Sequence, residues 1–284
     1  MNRFDYARED IGNLVLLEHV NLTMPDQRVA TAFFVSGLGL TRDPYLNTGV
    51  NNMWINAGRS QLHLPHGEAQ RLRGHVGLIL GERDALLKRL RDIQPVLGGT
   101  AFAWTEDEDR VQVTCPWGNR YDCLDTRANV RWSGIDLGIA YVQLDVPLGH
   151  ARGIAAFYRD MFDARVHLHD ARAVIDIGAH QQLVYAETPA ADPHYDGHHI
   201  QIYVADFSRP YARLAERGLT YGEEPHQYRF RQIVDPANGE PCFELEHEIR
   251  SLRHPLYARP LVNRNPEHST RNFVANEAGR RGVF

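Results

Sequence analysis

Four segments of the chain repeat one pattern, and that repetition constrains the fold more than any single motif. They are Leu17-Glu-His-Val-Asn-Leu-Thr-Met24, Gly74-His-Val-Gly-Leu-Ile-Leu80, Ala140-Tyr-Val-Gln-Leu-Asp-Val146 and His198-His-Ile-Gln-Ile-Tyr-Val204. Each alternates as a strand with one apolar face does: Val20 and Leu22, Val76 and Leu78, Val142 and Leu144, Ile200 and Ile202. The other face carries His19 and Asn21, His75 and Gly77, Tyr141 and Gln143, His199 and Gln201. A helical spacing follows each strand, at residues 25–35, 84–93, 150–162 and 208–216; Ile154, Phe157, Tyr158, Met161 and Phe162 mark it best. Ser208 is the expected cap of the fourth helix and Gly218 its stop. Short strands then complete each unit, at 52–56 and 60–64, at 101–105, 111–115 and 120–124, at 173–177 and 182–186, and at 227–233 and 241–247.

Corresponding residues of the four units lie 56, 66 and 58 positions apart. A unit of that size does not readily bury its own sheet face, so the units are expected to pair. The polar, Gly-containing stretch 126–138 lies in the widest gap and reads as a linker. Two domains are expected, 14–127 and 136–250, followed by an extended tail, 251–284, that either wraps a neighbour or is mobile.

Thirty-one Lys and Arg against 36 Asp and Glu leave a formal charge of -5, which argues against a nucleic-acid partner. Three cysteines without a C-x-x-C pair suggest free thiols rather than a disulfide scaffold or zinc finger. No apolar run is long enough to span a bilayer and the start has no apolar signal region, so a soluble, cytoplasmic protein with no membrane partner is expected. No nucleotide-binding glycine loop and no His-Glu-x-x-His is present.

The fourfold order, with Leu17-Glu-His-Val-Asn-Leu, Gly74-His-Val-Gly-Leu-Ile-Leu, Ala156-Phe-Tyr-Arg-Asp-Met-Phe and Asp235-Pro-Ala-Asn-Gly-Glu-Pro-Cys-Phe-Glu-Leu-Glu, resembles the vicinal oxygen chelate superfamily of glyoxalases, bleomycin-resistance proteins and extradiol dioxygenases. The resemblance covers 14–250 and implies an α+β fold of four βαβββ modules, paired into two domains with curled mixed sheets. It implies metal ligands from the first and last strands of paired modules: in the first domain His19, His75 and Asp122, with Gln61 as a fourth ligand and His63 lining the cavity. Such a two-histidine, one-carboxylate set suits a first-row divalent metal with open positions. The alternative for the same residues is buried imidazoles satisfied by neighbours such as Asn21, with Asp122 as acceptor.

In the second domain the resemblance points to Tyr141, Gln182, His199 and Glu244, with Glu246 competing for the last place. Tyr141 departs from the expected histidine and ligates only after losing a proton of pKa near 10, which leaves His199 and Glu244 as the weaker set. His226 is a candidate for proton transfer, or an ordinary loop histidine. Alternation places Glu244, Glu246 and Glu248 on one side of the last strand and His247 on the other.

The implied activity is a metal-dependent enzyme chelating vicinal oxygens of a small molecule, first an extradiol-type dioxygenase of a catecholic compound using Fe(II). The alternatives are a glyoxalase-like isomerase or lyase with Ni, Zn, Co or Mn, and a metal-free small-molecule binding protein. An exposed sheet edge makes a homodimer reasonable.

Overall fold

The computed structural model describes residues 4–46, 51–125, 132 and 134–273. The first module runs β1 (Leu14–Asn21), α1 (Gln27–Thr31), β2 (Thr41–Arg42), β3 (Asn52–Ala57) and β4 (Ser60–Pro65). The second runs β5 (Gly74–Ile79), α2 (Arg83–Ile93), β6 (Ala103–Glu106), β7 (Arg110–Thr114) and β8 (Arg120–Leu124). The third runs β9 (Gly138–Val146), α3 (Ala151–Phe162), β10 (Val166–His169), β11 (Arg172–Ile177) and β12 (Gln181–Glu187). The fourth runs β13 (His199–Val204), α4 (Ser208–Ala215), β14 (Thr220–Glu224), β15 (Gln227–Val234) and β16 (Pro241–Ser251). Each module is therefore βαβββ; β2, β10 and β14 are short strands that the alternation did not mark. The first helix is only five residues long and passes into a π-helical turn, Ala32–Gly37. At α4 the cap position is Phe207, without a side-chain cap bond, and Ser208, expected there, is the first helical residue; Asp206 just before accepts from Arg209 N, while Gly218 follows the helix at φ 65° as expected.

The modules form two mildly curled, mixed eight-stranded sheets, ordered β14-β15-β16-β13-β1-β4-β3-β2 and β10-β11-β12-β9-β5-β8-β7-β6. Neighbouring modules along the chain were expected to share a cup, first with second and third with fourth. The ladders instead pair the first module with the fourth, through β1 antiparallel to β13, and the second with the third, through β5 antiparallel to β9. Strand alternation fixes which face a residue occupies but not which module lies across the seam, so this pairing changes the company of every predicted ligand.

Apolar faces and helices fill the core. α3 reaches both sheets: Phe157 and Phe162 pack on Phe230 of β15, and Tyr158 donates or accepts across to Tyr185 of β12 at 2.7 Å. The sheets also touch at the β3–β4 turn, where Gly58 sits at φ 63° and a Cβ would lie 1.8 Å from the Leu137 carbonyl oxygen, so only glycine fits. Beside it Gln181 of the second sheet donates to Leu17 O, Ser60 Oγ and Ile139 O and accepts from Leu17 N.

The described tail, residues 252–273, lies against its own chain. Asn263 exchanges two hydrogen bonds with Gly58, Val262 O accepts from Asn56, and Arg264 N donates to Thr41 Oγ1. Residues 274–284, and most of the linker stretch 126–138, lie outside the described residues. All three cysteines are free and buried. Among the described residues no helix is long and apolar enough to cross a membrane.

Candidate metal centre

The seam between β1 and β13 gathers three histidines. His19 of β1, His63 of β4 and His199 of β13 each offer a ring nitrogen within 4.8 Å of the others. Register explains the meeting: Asn21 is cross-strand from both His63 and His199, and His19 follows on the same face. The His63 ring stacks on Trp54 at 3.7 Å and its Nε2 meets Asn52 Oδ1 at 2.7 Å, which fixes its orientation.

Burial acts on all three rings in the same direction. It is the largest cause holding His63 and His199 down to about 2, with neighbouring His19 next, and it holds His19 well below the usual range with Arg250 and Arg229 adding to it. The cluster is therefore neutral imidazole, the form that ligates a metal. His19 Nδ1 is 2.6 Å from Glu18 Oε2, whereas its Nε2 is buried without a partner. An orphaned imidazole nitrogen in a cluster of three neutral imidazoles is a donor set that fits a divalent cation.

Carboxylates complete the surroundings. Glu246, the register partner of His199, lies 3.6 Å from its Nδ1, and Glu248 lies 3.9 Å from its Nε2. Arg229 bridges both carboxylates and Arg250 pairs with Glu248 at 2.5 Å, so the negative charge is matched before any ion enters. Gln201, on the same strand face as His199, is fully buried with neither amide atom bonded.

The second sheet carries an open cup instead, a cavity of about 790 Å³ lined by His75, Arg110, Asp122, Tyr141 and Gln182 among others. There Asp122 Oδ2 accepts from Tyr141 Oη and Arg110 Nη1, both at 2.7 Å, with His75 Nε2 at 3.4 Å. Burial lowers the pKa of His75 despite the carboxylate, and burial with Asp122 raises that of Tyr141. Gly77 makes the arrangement possible, since a Cβ there would come within 2.2 Å of the Tyr141 ring.

No family model and no curated protein matches the sequence. Solved structures do match in shape. A "putative dioxygenase" from Bacillus subtilis superposes with a TM-score of 0.55 at 12% identity, over 86% of this chain and 87% of that one. Glyoxalase I from Zea mays gives 0.54 at 12% identity, over 84% and 92%. The chain has the vicinal oxygen chelate fold.

Within that fold the expected ligands divide between two cups. His19 and Gln61 belong to the first sheet, His75 and Asp122 to the second, so these four do not meet. Gln61 donates to Asn56 Oδ1 at 2.6 Å and Asp43 Oδ2 at 3.3 Å, and accepts from Arg259 of the tail, so its amide is engaged in anchoring the tail. His63, expected as a lining residue, joins the ligand cluster, and His199 sits with His19 rather than with Tyr141. Glu244 pairs with Arg231 at 3.0 Å and faces Gln232, leaving Glu246 and Glu248 beside His199. His226 occupies the β14–β15 turn, its carbonyl accepting from Ser251 N, outside the cluster. In the cup of the second sheet the Arg110 guanidinium pairs with Asp122 at 2.7 Å, so the carboxylate is already neutralised. Trp54, Arg229 and Gln201 escaped notice as site residues; the one sequence signal for Gln201 is its place two residues after His199.

Proposed function

We propose that the chain is a metal-dependent enzyme whose centre lies between the first and fourth modules, with His19, His63 and His199 holding the ion and Glu246 and Glu248, paired with Arg229 and Arg250, beside it. The observation that carries the reading is the three neutral imidazoles with His19 Nε2 buried and unpaired. A divalent ion there, Fe(II) first and Ni, Zn, Co or Mn next, would act as a Lewis acid toward two adjacent oxygens of a small substrate. Gln201 offers an amide that can bond one substrate oxygen. Glu248, whose pKa burial raises, can accept a substrate hydroxyl proton, and Arg229 stabilises the carboxylate when that proton leaves. Arg259 and the tail, docked on Asp43 and Gln61, exclude water from one side.

The substrate class favoured is a catecholic compound opened by extradiol-type cleavage. Isomerisation or lysis of an enediolate-forming substrate is the second reading, favoured by the presence of more protein donors than a three-ligand centre needs. A cytoplasmic setting with free thiols, a small-molecule partner and a homodimer built on an exposed sheet edge belong to the same proposal. Elemental analysis of anaerobically purified, tag-free protein tests it. Near one equivalent of iron with oxygen uptake on a catechol panel supports the oxygenase; Ni, Zn, Co or Mn supports the isomerase. No metal after reconstitution refutes the centre.

A further inference from the structure

Glu18 is the odd member of the first sheet. Strict alternation puts it on the apolar face with Val20 and Leu22, opposite His19. The ladder breaks that rule: Leu17 faces Ile202 and His19 faces Gln201, so two steps along β1 match one along β13. This is a β-bulge, with Glu18 as the extra residue, and it lets consecutive side chains serve one site. The backbone of the bulge is held from outside its own sheet. Leu17 N donates to Gln181 Oε1, and Leu17 O accepts from Gln181 Nε2 and Ser60 Oγ, so groups that the ladder leaves over are satisfied.

The consequence is a carboxylate, 7% exposed, placed 2.6 Å from Nδ1 of a histidine that is 1% exposed. Arg250, 4.0 Å away, is the nearest paired cation. His19 can then hold its proton at Nδ1, donating to Glu18, and present the lone pair of Nε2 to the seam with His63 and His199. We propose that Glu18 is a positioning residue for the metal centre: through the bulge it fixes the tautomer and ring orientation of His19 so that Nε2 is the ligating atom. This rests on the proposed centre, and it assigns to the residue before the ligand a role that alternation denies it. Carboxylate support of a ligating histidine raises the basicity of the ligand, and its loss weakens metal affinity by about 10- to 100-fold.

Two measurements on the full chain separate this inference from the reading beneath it. In metal-free protein labelled with 15N-histidine, His19 should show a protonated Nδ1 and a bare Nε2; in Glu18→Ala it should shift toward the other tautomer or a mixture, while Glu18→Gln, which keeps an acceptor oxygen, should restore the wild-type pattern. Titration with Co(II) alone, read by its visible absorption, should show affinity falling by about 10- to 100-fold in Glu18→Ala and less in Glu18→Gln. Should Glu18→Ala fail to fold, the same comparison of Glu18→Gln with wild type decides: an unchanged tautomer with a several-fold weaker affinity supports the role. Wild-type binding with all variants within about twofold, or His19 protonated at Nε2 in wild type, overturns the role of Glu18 and leaves the centre standing. Absence of Co(II) binding by wild type itself overturns both.

Discussion

Replacing His247 by Gln should flatten the pH dependence of stability. His247 lies on β16 between Glu246 and Glu248 but points the other way, into the core, stacked on Phe230 at 4.3 Å with Nδ1 donating to Leu245 O at 2.7 Å and Nε2 meeting Tyr158 Oη. It therefore locks the strand that carries the site carboxylates against α3. Burial holds its pKa down to about 3 from an ordinary 6.5. A depressed pKa means that the unfolded chain binds the proton more readily, so the stability His247 contributes is complete above 6.5 and is lost as pH falls toward 3. The loss is roughly 1.4 kcal/mol per pH unit, or about 2 kcal/mol between pH 6.5 and 5.0. Urea unfolding of metal-free wild type and His247→Gln at pH 8 and pH 5 measures it as a double difference, which cancels the constant cost of the substitution and the titration of other groups. The wild type should lose about 2 kcal/mol more than the variant. Equal losses within about 0.5 kcal/mol would refute the reasoning, since that is the limit of additivity for independent sites.

Three further outcomes follow from the geometry. Gln181→Ala should destabilise by about 2–4 kcal/mol in urea unfolding, because Leu17 N, Leu17 O and Ile139 O lose a buried partner; a change below about 0.5 kcal/mol would deny that the bulge needs it. His199→Ala should remove most bound metal by elemental analysis while the far-ultraviolet circular dichroism stays unchanged. Tyr141→His should leave metal content as in wild type, since Arg110 still neutralises Asp122, whereas an added equivalent of metal would show that the guanidinium is no barrier.

The fold was readable because period-two faces and the helical spacing survive in every module, down to the stop at Gly218. The polar faces were readable as well: His19 and His199, which the structure clusters with His63, sit at equivalent polar positions, and Glu246 was a competitor for the last strand. Which ligands meet was not readable, because module pairing is decided by seams between strands about 180 residues apart, such as β1 with β13, that leave no mark in either strand. Gln61 shows a second limit: its neighbours Asp43 and Arg259 come from a loop and the tail, which periodicity does not order. Glu18 shows a third, since a bulge reverses the face that alternation assigns and has no residue signature here.

The nested pairing of modules also sets an order of assembly. The inner sheet joins modules that follow one another, so β5 and β9 need only a moderate loop to close; the outer sheet joins β1 to strands made from the far end of the chain, at a larger entropic cost. During synthesis the first module emerges with His19 and His63 but without His199, and the β1 edge that pairs with β13 stays open until β13 arrives. Pulse-labelled hydrogen exchange should accordingly find β5, β8, β9 and β12 protected before β1 and β13, and simultaneous protection would contradict it. The histidine cluster then requires that synthesis has passed β13, since a chain truncated before His199 lacks the third ring.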